Sequence, residues 1–71
     1  MPVINIKMTK EDGGATQKQK EQLARGVAKL FSEVFNRSSA NAVILIEEVD
    51  TDNYYIGEKS ITQIRSEQRK I

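Results

Sequence analysis

Ala42-Val43-Ile44-Leu45-Ile46 is the stretch on which the fold turns. It is a continuous apolar run of strand length with no polar alternation. Such a run predicts a strand covered on both faces, as in a parallel sheet. A parallel partner must come from elsewhere in the chain, joined by a crossover that is normally a helix. Upstream, Pro2-Val3-Ile4-Asn5-Ile6-Lys7-Met8 supplies the partner: Pro2, Ile4, Ile6 and Met8 are apolar at alternate positions, with Asn5, Lys7 and Thr9 between them after Val3. That period of two predicts a first strand. Lys10-Glu11-Asp12-Gly13-Gly14 breaks it with paired glycines.

Between the strands, Thr16 followed three residues later by Gln19 is a capping-box pattern and predicts a helix start. Leu23, Val27, Leu30, Phe31, Val34 and Phe35 then recur at spacings of three and four as one apolar stripe. Gly26 interrupts that pattern at a cost of up to ~1 kcal/mol relative to Ala, which close packing would explain. Asn36-Arg37-Ser38-Ser39 ends the helix. The result is a β-α-β unit with a right-handed crossover.

One helix covers only one face of a two-stranded sheet. The other face, carrying either Val43 and Leu45 or Ile44 and Ile46, therefore needs a second subunit. Size points the same way. Seventy-one residues make one small domain, 1–71, which buries only roughly 60% of its unfolded surface. Small chains compensate with disulfides, metals or self-association. This one has no Cys and no His, which leaves self-association. The fold class is thus α/β (α+β): a single β-α-β unit with a short C-terminal hairpin arm, assembling through its sheet into an oligomer.

That arm follows Glu47-Glu48-Val49. Tyr54-Tyr55-Ile56-Gly57 reads as a short hairpin or tight turn, and Ile61-Thr62-Gln63-Ile64 as a short edge strand. It is too short to form its own core and is expected to lie on a neighbour. The basic run from Arg65 to Lys70 reads as a solvated tail. Eleven Lys/Arg against ten Asp/Glu leave a net charge of +1, so no nucleic-acid partner is expected. No apolar run approaches the ~18–20 residues that cross a membrane, and no signal-peptide pattern opens the chain. A cytoplasmic protein is the expectation.

Without Cys or His, thiol nucleophiles, Ser-His pairs and histidine acid–base chemistry are absent. Gly13-Gly14 is too short for a phosphate loop. Asp50 and Asp52 with Glu47 and Glu48 lack EF-hand spacing and read as solvated charges. Pro2 is different. Removal of Met1 would leave its nitrogen as a secondary amine, and α-amines titrate near ~7.7–8.0. A low-dielectric pocket or a nearby cation lowers that value, giving a general base near neutral pH. Proline opening an edge strand is the plainer account of the same residue.

Pro2-Val3-Ile4-Asn5-Ile6, Gly14-Ala15-Thr16-Gln17-Lys18-Gln19-Lys20, the apolar second strand and Tyr54-Tyr55-Ile56-Gly57 together resemble the 4-oxalocrotonate tautomerase family. The resemblance runs from Pro2 to about Arg65. It implies short β-α-β subunits assembled as hexamers, with Pro2 as catalytic base and neither metal nor organic cofactor. It also implies an isomerase that ketonises small unsaturated 2-hydroxy acids such as 2-hydroxymuconate, in aromatic catabolism. The family's two substrate-binding arginines fall on Ala15 and Val43, so the carboxylate clamp is missing. Its pocket phenylalanine falls on Tyr54 and a C-terminal arginine on Arg65. Lys10 is the first candidate for a replacement cation in an anionic-substrate site, followed by Lys7 and Arg65. Other proline-dependent reactions on this scaffold (hydration, dehalogenation, decarboxylation) and a non-catalytic oligomeric module are the alternatives.

Overall fold

Thr16 starts the long helix as its spacing requires. Its hydroxyl accepts the Gln19 N–H at 3.1 Å, and the Gln19 side chain accepts the Thr16 N–H at 2.9 Å. The computed structural model describes residues 2–69. Within them β1 (Val3–Thr9) leads to α1 (Gln17–Phe35) and β2 (Val43–Val49), then a 3-10 turn (Thr51–Asn53), β3 (Tyr55–Ile56), β4 (Lys59–Ser60) and α2 (Ile61–Arg69). The turn before α1 reverses through Asp12, Gly13 and Gly14, all at positive φ, which explains the paired glycines.

β1 and β2 pair in parallel, with Val3 beside Val43, Asn5 beside Leu45 and Lys7 beside Glu47. β2 continues three residues past the apolar run, because Glu47 and Glu48 find register partners in Lys7 and Met8. The pleat then sorts the residues. Ile4, Ile6, Ile44 and Ile46 are half-buried, whereas Val3, Val43 and Leu45 are exposed. Of the two expected alternatives, Val43 and Leu45 are the pair on the open face. Leu45 is 51% exposed.

The apolar stripe of α1 divides in two. Val27 and Phe31 are half-buried together with Ala24 and Ala28, while Leu23, Leu30, Val34 and Phe35 are exposed. Gly26 lies on the exposed flank, in a groove shared with Met8, Leu23 and Leu30. A Cβ on Gly26 would meet nothing within 4 Å, so close packing inside the chain does not explain it.

No described residue is fully buried. The chain exposes 5880 Å², whereas a compact monomer of 8.0 kDa exposes about 4450 Å². Its radius of gyration is 16.0 Å, against about 11 Å for a compact domain of this length. A chain with this much apolar surface in water lacks the burial that offsets conformational entropy.

The arm departs from expectation at Ile61-Thr62-Gln63-Ile64, which begins α2 rather than forming an edge strand. The reason is the capping chemistry that starts α1: the Ser60 hydroxyl accepts the Gln63 N–H at 3.1 Å. The residues that follow, Gln63, Arg65, Glu67, Gln68 and Arg69, are good helix formers. Hence Arg65 to Arg69 are helical rather than a loose tail, and Lys70 lies outside the described residues. β3 and β4 form the expected hairpin, with Tyr55 beside Ser60 and Gly57 at φ 63° in the turn.

Candidate active site

Pro2 sits at the mouth of the sheet, where its carbonyl accepts the Val43 N–H at 3.0 Å. That bond pins Pro2 to the start of β2. Beside it opens a recess of about 340 Å³ lined by Pro2, Phe31, Arg37, Ser38, Asn41 and Ala42. Among the described residues the lining is half apolar wall and half polar groups, with one cation and no carboxylate.

Arg37 reaches this recess because of how α1 ends. Asn36 takes the left-handed conformation (φ 52°, ψ 47°) and turns the chain back on itself. The Arg37 guanidinium then lies 5.3 Å from the centroids of both Phe31 and Phe35, whose rings are 4.9 Å apart. Both rings lie within cation–π range of the guanidinium and favour its position at this end of the helix. Among the described residues no Asp or Glu pairs with Arg37, whereas Lys7, Lys20, Lys29, Lys59 and Arg65 each have a carboxylate partner. In the sequence, Arg37 stands out only as part of the segment Asn36-Arg37-Ser38-Ser39 that ends the helix. An arginine two residues after the second of two phenylalanines one turn apart is the available signal.

The other expected site residues lie elsewhere. Lys10 lines a separate recess with Gly14, Lys20, Glu48 and Asp50. Its distance from Pro2 along β1 is roughly 26 Å at about 3.3 Å per residue. Tyr54 borders a third recess with Lys7, Glu47 and Tyr55. Arg65 borders a fourth with Thr51, Thr62 and Arg69. One chain therefore does not bring Pro2, Lys10, Tyr54 and Arg65 together.

Charges at that far end are spent on the fold. Both Glu48 carboxylate oxygens accept the Ala15 N–H, at 3.1 and 3.0 Å, and Lys20 approaches one of them at 3.4 Å. Its side chain is only 12% exposed, so Glu48 is a structural anchor rather than a solvated charge. Glu47 does remain exposed and pairs with Lys7 at 3.3 Å. Arg65 donates in fork geometry to Glu11 at 2.7 and 2.8 Å. This bond and one from the Thr9 hydroxyl hold the Glu11 carboxyl down to about 2, and Glu11 in turn raises the Arg65 guanidinium further.

A model of the family described as "Tautomerase enzyme" matches residues 2–64. The chain belongs to the tautomerase family. A probable tautomerase of Helicobacter pylori (strain J99) is 48% identical over 65 residues, spanning 92% of this chain and 96% of the relative. The crystal structure of DmpI from Helicobacter pylori superposes with a TM-score of 0.78 at 46% identity, covering 86% of this chain and 97% of that one. A heterohexameric 4-oxalocrotonate tautomerase from Chloroflexus aurantiacus has a TM-score of 0.74 at 26% identity, covering 92% of this chain and all of its own, 100%. This tautomerase is accordingly an isomerase, and its β-α-β unit with a hairpin arm is the fold of its structural neighbours. No helix among the described residues of the tautomerase is long and apolar enough to cross a membrane.

Proposed function

We propose that this chain is a keto–enol tautomerase of small unsaturated 2-hydroxy acids of the 2-hydroxymuconate type, with Pro2 as general base after loss of Met1. The observation that carries the reading is Pro2 itself, held at the edge of a recess that contains a cation and no carboxylate. The neutral proline nitrogen accepts the 2-hydroxyl proton, and C2 becomes a ketone. The C2=C3 electrons become the C3=C4 bond, and the C4=C5 electrons move to C5, at the far end of the diene, which uses them to take a proton back from the prolinium. Atoms and charge balance, and the protein's own groups suffice. Apolar walls such as Phe31 keep the amine neutral by desolvation, and polar groups at the rim stabilise the dienolate oxygen. Activation of water for hydration would call for a carboxylate, and among the described residues of the same chain none lines the recess.

The reading includes assembly. The open sheet face with Val43 and Leu45 and the exposed flank of α1 become subunit interfaces in a homo-oligomer, proposed to be a hexamer. Assembly also gives Tyr54 and Lys10 a route to a Pro2 recess, that of a neighbouring subunit. Tyr54 would add an aromatic wall there, and Lys10 a second point charge for a dicarboxylate. A cytoplasmic setting and a role in aromatic catabolism complete the reading.

The test is chemical. Protein with Met1 removed should ketonise 2-hydroxymuconate. Protein with Met1 retained, confirmed by mass spectrometry, should lose on the order of 10²–10⁴-fold in kcat/KM, the range general-base catalysis supplies. Full activity with Met1 attached would rule out the amine mechanism. In the same assay Tyr54→Ala should cost more than Tyr54→Phe, which keeps the wall and deletes only the hydroxyl.

A further inference from the structure

We infer that Arg37 binds the carboxylate of the substrate in the Pro2 recess, as a clamp supplied by the same chain as the base. The inference rests on the proposed tautomerase site at Pro2 and names what that site recognises. Three observations converge on it. Among the described residues, Arg37 is the one cation lining the recess that contains Pro2. Its guanidinium carbon lies 5.3 Å from the ring centroids of both Phe31 and Phe35, a cation–π seat beside the recess. No carboxylate among the described residues neutralises it.

The other candidate cations serve different ends. Arg65 is committed to Glu11 through two short bonds, and Lys7 faces Glu47. Lys10 lies at the opposite end of β1 and reaches this recess only from another subunit. Arginine presents a rigid fork that takes both carboxylate oxygens. Ser38 and Asn41 line the same recess and complete a polar rim around the bound acid. The preferred ligand is therefore a small planar unsaturated acid with an ionised carboxylate close to the enol carbon.

The experiment uses Met1-free wild type, Arg37→Gln and Arg37→Lys, each checked for unchanged sedimentation and circular dichroism. Direct binding of muconate, which has both carboxylates but no enol to tautomerise, is measured by calorimetry. Arg37→Gln should weaken it about 10- to 100-fold, the range for losing charge-assisted bonds. Arg37→Lys should fall between Gln and wild type, because a point charge replaces the fork. Turnover supplies the second readout: KM for 2-hydroxymuconate should rise by a similar factor in Arg37→Gln with kcat within a few-fold, while KM for its dimethyl ester stays level. Unchanged muconate binding in Arg37→Gln overturns the inference whatever happens to turnover. Loss of muconate binding in Arg37→Gln supports it even where Met1-retained and Met1-free proteins turn over alike, an outcome that overturns only the role of Pro2.

Discussion

The two ends of the parallel sheet handle charge in opposite ways. At the end where β1 and β2 finish, three carboxylates are engaged, Glu48 with the Ala15 N–H and Lys20, Glu47 with Lys7, Glu11 with Arg65, while Lys10 has no carboxylate partner among the described residues. At the Pro2 end, Arg37 rests on two phenylalanines without a carboxylate among the described residues. Paired charges stabilise a fold and have little left to offer a ligand. An unpaired guanidinium on an aromatic shelf contributes less to folding and retains its donors for an anion. The comparison teaches that counting cations does not locate a substrate clamp. What matters is which cations the fold has already neutralised.

The largest effect should come from a change that removes both ends together. Leu45→Lys places a charge on the open sheet face, where assembly would bury it without a partner, at a cost of several kcal/mol. Sedimentation should show dissociated or unfolded chains, and activity should vanish with them. A wild type that sediments at micromolar concentration as a folded monomer would break the assembly argument outright.

Glu48→Ala sharpens the contrast between the ends. It leaves the Ala15 N–H and Lys20 without their acceptor in a part-buried position, and should cost about 1–3 kcal/mol. Thermal melting should drop by several degrees while KM of the protein that remains folded stays the same. A selective rise in KM instead would place Glu48 in substrate recognition and erase the division of labour.

The smallest effect belongs to the exposed Glu11–Arg65 pair. Glu11 has its folded value lowered from 4.5 to about 2 by Arg65 and Thr9. A depressed carboxyl contributes stability that is complete above its unfolded value and is lost as pH falls through the folded one. The melting-temperature gap between wild type and Arg65→Gln should hold at pH 6, shrink below about 4.5 and close near 2. A gap that persists at pH 2 would mean that Arg65 acts through packing of its stem rather than its charge.

Much of this architecture was legible because its signals are local. The alternation of Ile4, Ile6 and Met8, the capping box of Thr16 and Gln19, and the spacing of Val27 and Phe31 depend on neighbours within a few residues. So did the proline that follows Met1, and with it the expectation of an amine base. Even the miss at Ile61 had a local signal, since Ser60 and Gln63 repeat the cap of α1. What only the tertiary structure decided is which distant residues share a face or a recess. Register placed Val43 and Leu45 on the open side, and the left-handed turn at Asn36 swung Arg37 toward Pro2. Parallel pairing kept Lys10 and Tyr54 away from it within one chain. Periodicity tells a side chain which way to face. Only chain reversal and register tell it whom to meet.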